Sequence, residues 1–100
     1  MKSKISISFY ARIANQSKNG LLPIYLRITI DGKRIELSTG KFIEKSKWIV
    51  AAAKIMGNTE QARTINSYLN ILKNKVYETE KVMINNNEVI NSNTFKNKFI

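Results

Sequence analysis

Between Lys4 and Ile13 the apolar residues fall on alternate positions. Ile5, Ile7, Phe9, Ala11 and Ile13 are interleaved with Lys4, Ser6, Ser8, Tyr10 and Arg12. A period of two marks a strand with one buried face. The pattern returns in Ile24, Leu26, Ile28 and Ile30 against Tyr25, Arg27 and Thr29, and again in Ile35 and Leu37 against Arg34, Glu36 and Ser38. Asp31-Gly32 stands between the second and third runs, and this pair readily takes the positive φ angles of a two-residue hairpin turn. Pro23 opens the second strand, where a missing N–H is tolerated. The third strand is expected to run from Arg34 to about Ser38, with Gly40 ending it. Asn15 to Gly20 is a polar stretch without periodicity and reads as a loop.

The period changes in the second half. Ala62, Ile65, Leu69, Leu72, Val76 and Met83 recur at spacings of 3, 4, 3, 4 and 7, which predicts a long amphipathic helix. Tyr68, Ile71 and Tyr77 flank this seam. Asn58 is the expected N-cap, with Gln61 in the capping-box position and Glu60 in the first turn. Asn85-Asn86-Asn87 is expected to stop the helix at about Ile84. Between sheet and helix, Lys41 to Gly57 is expected to be mostly irregular and folded onto the core, with Trp48 as its anchor. "WIVAAAKIMG" suits strand or helix equally by pattern. Ser92 or Asn93 then reads as a second N-cap before Phe95 and Phe99, an apolar pair at i and i+4.

These elements give an α+β fold, a three-stranded antiparallel sheet packed against a long C-terminal helix. A third strand and a covering helix are what make so small a sheet viable. The expected division is a sheet-plus-helix domain over residues 1–84, with 85–100 a linker and the start of a further helical domain. On that expectation the sequence is a piece of a longer protein. A terminal helix docked on the first domain is the alternative.

Composition removes several function classes. Among the 100 residues there is no cysteine and no histidine, so disulfides, thiolate or imidazole metal sites and His-assisted nucleophilic catalysis are unavailable. Of the seven carboxylates only Glu78 and Glu80 are close in sequence, and on a helix they point about 200° apart. A self-contained enzyme is therefore not expected, nor is any cofactor, metal or small-molecule substrate. No apolar run approaches the ~20 residues of a membrane span, and the alternating N-terminus does not resemble a signal peptide. The expected setting is the cytoplasm, with no membrane partner.

Charge supplies the positive clue. Lys and Arg total 17 against 7 Asp and Glu, a formal net charge of +10. Residues 1–50 hold ten basic and three acidic residues, so most of the excess lies in the strand half. With the apolar sets turned to the helix, strand parity puts Lys4, Ser6, Ser8, Tyr10, Arg12, Tyr25, Arg27, Thr29, Arg34, Glu36 and Ser38 on the opposite, open face. Lys33 and Lys41 border it. Two tyrosines, three arginines and short hydroxyl side chains on a thin ribbon suit the major groove of double-stranded DNA. There Arg bonds guanine edges or phosphates, Tyr and Ser bond phosphates, and Thr touches a thymine methyl. The candidate contacts are Tyr10, Arg12, Tyr25, Arg27, Thr29, Lys33 and Arg34, followed by Lys4, Ser6, Glu36 and Lys41. Residue by residue, the competing explanation is cross-strand pairing that stabilises an exposed sheet by about 0.2–1 kcal/mol per pair. RNA fits the pattern less well, because neither base-stacking strand signatures nor a Gly-x-x-Gly loop is present.

The same residues carry a family resemblance. Pro23 to Ile28, Gly32-Lys33-Arg34, Glu36, Ser38-Thr39 and Lys47-Trp48, continuing through Gly57, Asn66, Leu69 and Leu72, resemble the N-terminal arm-binding domain of Bacteroidetes-type phage and transposon integrases, which are tyrosine recombinases. "ISISFYAR" resembles the first strand of that family, and "VINSNTFKNKF" its linker into the core-binding domain. Ile49-Val50-Ala51-Ala52-Ala53 departs from it, since the family has Asp and a polar, Gly-containing turn after the Trp. The resemblance implies a sheet docked in the major groove of arm-type sites, with other integrase protomers as partners in a recombination complex. It implies catalysis in a separate C-terminal domain. From another class, a protein-interaction or regulatory module using the sheet edge or the helix seam is the rival reading.

Overall fold

The computed structural model of the chain describes residues 4–13, 20–49, 54–57 and 59–100. Three antiparallel strands, β1 (Ile5–Ala11), β2 (Leu21–Ile30) and β3 (Lys33–Glu44), form a meander with β2 in the centre. Asp31 and Gly32 take φ of 50° and 85° in the β2–β3 turn, so the expected hairpin forms. Beyond β3 come a 3₁₀ turn (Lys45–Lys47) and a short hairpin of β4 (Trp48–Ile49) and β5 (Lys54–Ile55). The helices α1 (Glu60–Asn85) and α2 (Ser92–Phe99) complete the chain. The fold is α+β, a three-stranded antiparallel sheet with one long and one short helix.

The third strand does not stop near Ser38. Pairing jumps from Tyr25 opposite Ser38 to Pro23 opposite Phe42, which leaves Thr39, Gly40 and Lys41 bulged against Ile24. Gly40 sits in this bulge at φ 76°, a backbone state that glycine takes without steric penalty. Thr39 is buried, and its hydroxyl donates to the Ile24 carbonyl at 2.7 Å while accepting the Lys41 N–H at 3.2 Å. A side chain thus supplies the bond that the interrupted ladder withholds, and the strand continues to Glu44.

The segment after β3 is also more regular than its pattern suggests. Lys41 to Glu44 belongs to β3, and Trp48 opposes Ile55 in the β4–β5 hairpin. Residues 50–53 and most of the polar loop before β2, residues 14–19, lie outside the described residues. The Asn66 side chain bonds both backbone groups of Ile55, its carbonyl accepting the N–H at 2.9 Å and its amide donating to the C=O at 3.2 Å. One helix side chain therefore acts as a strand neighbour for β5 and ties the hairpin to α1.

Thr59, not Asn58, caps α1; its hydroxyl accepts the Ala62 N–H at 3.1 Å. That moves Gln61 to the second helical position, out of capping-box register. Asn58 itself lies outside the described residues. The triple Asn ends the helix as expected, one residue later than Ile84. Asn87 takes φ 55°, with Asn87 N–H to Ile84 C=O at 3.1 Å and Glu88 N–H to Met83 C=O at 2.9 Å. This pair of bonds is a Schellman closure with Asn in the left-handed position. Asn91, rather than Ser92 or Asn93, caps α2 in a reciprocal capping box with Thr94.

The helix seam and the inner sheet face share the core. Ile28, Ile30 and Ile35 meet Val76, Met83, Phe95 and Phe99, while Ile24 and Ile43 meet Ile55, Ala62, Ile65 and Leu69. Phe9 packs against both groups, and Trp48 packs against the second. Phe95 is 0 % exposed, and its ring stacks on Phe99 at 5.7 Å. Residues expected to lead into another domain thus help to close this core.

Candidate nucleic-acid interface

The two apolar clusters lie on the helix side of the sheet, and the other side carries the polar set. Strand register aligns that set in rows: Ser6, Thr29 and Arg34 next to the turn, then Ser8, Arg27 and Glu36, then Tyr10, Tyr25 and Ser38. Arg12, one residue past β1, is held by its N–H to the Pro23 carbonyl at 2.9 Å, which directs its side chain back over the third row. Lys4 shares the parity of Ser6, and its backbone clamps the turn. Its N–H donates to Asp31 Oδ1 at 3.0 Å, and its C=O accepts the Asp31 N–H at 3.1 Å.

The third row and its neighbours form one connected array. The Tyr10 and Tyr25 rings stack with centroids 5.9 Å apart. The Arg12 guanidinium lies 3.9 Å from the Tyr25 centroid and that of Arg27 4.4 Å from the Tyr10 centroid, both within cation–π range. The Tyr10 hydroxyl donates to Glu36 Oε2, the oxygen that also accepts from Arg12 at 2.9 Å. Arg27 approaches the same oxygen at 3.9 Å. With a guanidinium over each ring, the tyrosines are poorly placed to stack on splayed bases and well placed to present hydroxyl and guanidinium donors.

The turn-proximal row differs. Ser6 and Arg34 are exposed and Thr29 is half-buried, and among the described residues the Arg34 side chain has no ion pair or ring contact. Arg34 is thus available to an outside acceptor.

Two candidates stand apart from the face. Lys33 is exposed at the turn, but it pairs with Ile30 and so has the parity of the apolar side. Lys41 lies behind the sheet, its amine 5.0 Å from the Tyr68 ring of α1. The bulge offsets the pairing here, and odd positions of β3 keep facing the helix. Ser8 and Ser38, which are not among the candidate contacts, also lie within the polar rows. The joining of Arg27 to Glu36 was available from counting, since both are equidistant from the Asp31-Gly32 turn. Tyr10 facing Tyr25 depends on the preceding loop, whose length fixes no register.

Among the described residues, no helix is long and apolar enough to cross a membrane, and no three acidic residues cluster as metal ligands would. A thin antiparallel ribbon backed by a helix, with an open face of arginine, tyrosine and hydroxyl side chains, has the makings of a nucleic-acid-binding domain. Residues 9–96 match the family model of the Arm DNA-binding domain, and the chain belongs to that family. It is a DNA-binding module of the integrase type, and its family describes binding, not catalysis. No curated protein and no solved structure matches the chain.

Proposed function

We propose that this domain recognises arm-type sites in double-stranded DNA for a site-specific tyrosine recombinase of a phage or transposon. Its sheet inserts into the major groove, and it works in the cytoplasm beside other integrase protomers. The observation that carries this reading is the row Ser6–Thr29–Arg34 beside a narrow turn, with Ser6 and Arg34 exposed and the Arg34 side chain without an ion pair or ring contact among the described residues. Strands lie about 4.8 Å apart, so the three-stranded backbone is about 10 Å across, against a groove about 12 Å wide. The edge with the hairpin turn leads. Arg34 and Thr29 reach base edges, while Lys4, Tyr10, Arg12 and Tyr25 reach flanking phosphates and fix the register.

Dimethyl sulfate protection on a duplex selected from a random library by the domain tests the groove. Guanine N7 atoms in the selected core are expected to be protected. Protection confined to adenine N3, in the minor groove, would overturn the docking.

A further inference from the structure

Glu36 is an odd residue for the middle of a phosphate-facing surface. A carboxylate there repels DNA of every sequence, and Thr or Gln would fill the position without that penalty. Its surroundings explain what it does. A single oxygen, Oε2, accepts from the Tyr10 hydroxyl and from Arg12 at 2.9 Å, and lies 3.9 Å from Arg27. Arg12 also donates to the Tyr10 hydroxyl at 2.7 Å. The Arg12 guanidinium is therefore fixed twice, by a tyrosine ring and by this carboxylate, while that of Arg27 lies over the Tyr10 ring with the carboxylate at ion-pair distance. The three side chains are about one-third exposed, with values of 31 %, 32 % and 34 % for Arg12, Arg27 and Glu36. They are open enough to meet a ligand and enclosed enough to be oriented. The pairing does not exhaust Arg27, because its Nε is buried with no acceptor among the described residues.

We propose that Glu36 is an internal counter-ion that holds Arg12, Arg27 and Tyr10 in a fixed array, making it a specificity-determining residue of the DNA surface. This rests on reading the open face as that surface. Glu36 cancels about one positive charge toward phosphates of any sequence, so it weakens indiscriminate binding. On the right sequence the donors are already ordered, and their bonds compensate for the repulsion. A Glu that merely stabilised an exposed sheet would repel both duplexes alike and leave the selected-to-scrambled ratio unchanged.

The test uses Glu36→Gln, which keeps the shape and an acceptor oxygen but removes the charge. Affinity is measured by fluorescence anisotropy across a salt series on the selected duplex and on a scrambled duplex of equal length. On the scrambled duplex the slope of log K against log salt should steepen by about 0.9, one added phosphate equivalent. That corresponds to about eightfold tighter binding at 0.1 M salt relative to 1 M, and the selected-to-scrambled ratio should fall. An unchanged slope on the scrambled duplex, or an unchanged selected-to-scrambled ratio, with the melting temperature retained, overturns the proposal. So does weaker binding to both duplexes, which would make Glu36 a direct DNA contact. Glu36→Thr, a strand-compatible residue, replaces Gln if that variant does not fold. Arg27→Ala/Arg34→Ala is measured alongside: if it binds as the parent does, the surface itself is wrong, whatever Glu36 does.

Discussion

Phe95→Ala measures how far α2 belongs to the domain it follows. The ring is 0 % exposed, stacks on Phe99 at 5.7 Å and sits in one cluster with Ile28, Ile30, Val76 and Met83. Its removal leaves a cavity between both helices and the sheet, and Phe→Ala changes at such sites cost about 3–5 kcal/mol. A domain of this size has a total stability of roughly 5–15 kcal/mol, so the loss is a large share of it. At about 4–8 °C per kcal/mol for small domains, the melting temperature should drop by about 12–40 °C. Urea unfolding followed by Trp48 fluorescence gives the free energy, and Val89→Ala, at a side chain 72 % exposed, is the control. A loss below about 1 kcal/mol for Phe95→Ala would refute the packing argument, because a helix leading away to another domain would contribute little more.

Three further substitutions separate scaffold from surface. Asn66→Ala removes both bonds to the Ile55 backbone and should destabilise by about 1–3 kcal/mol in urea unfolding, with amide exchange quickened at Ile55. Thr39→Val keeps the shape but leaves the Ile24 carbonyl without its hydroxyl donor; about 1–3 kcal/mol should be lost, and no loss would mean the bulge needs no side-chain support. Lys41→Ala, behind the sheet beside Tyr68, should leave the salt slope of duplex binding unchanged, and a decrease near 0.9 would return Lys41 to the DNA surface.

What the amino-acid pattern discloses here is whatever has a period. Alternation gives the three strands, the 3–4 spacing gives α1, and Asp31-Gly32 gives the turn that pairs Arg27 with Glu36. What escapes is decided by single side chains acting at a distance. Gly40 looks like a strand end, and only the hydroxyl of Thr39 reaching Ile24 turns it into a bulge. The two-residue strands β4 and β5 are too short for any periodicity and exist because Asn66 and the core hold them. Asn58 and Thr59 are both good caps, so composition does not choose between them. Phe95 and Phe99 announce an apolar face without saying which core receives it. Parity placed Tyr10, Tyr25, Arg27 and Arg34 on the open face, where strand register has them. The engagement of Tyr10, Arg12 and Arg27 through one Glu36 oxygen needs the β1–β2 register, which the preceding loop conceals.

The central claim is that the open sheet face is the DNA surface, and Arg27→Ala/Arg34→Ala tests it most directly. Both residues lie on that face, in adjacent rows, and neither belongs to the apolar clusters. One lost phosphate equivalent at Arg27 should reduce the slope of log K against log salt by about 0.9, and loss of the Arg34 base contact should weaken duplex binding by about a further 1–3 kcal/mol. The melting temperature should stay within a few degrees of the parent's. Parental affinity and slope in the folded double variant would contradict the account and move the DNA surface elsewhere on the domain.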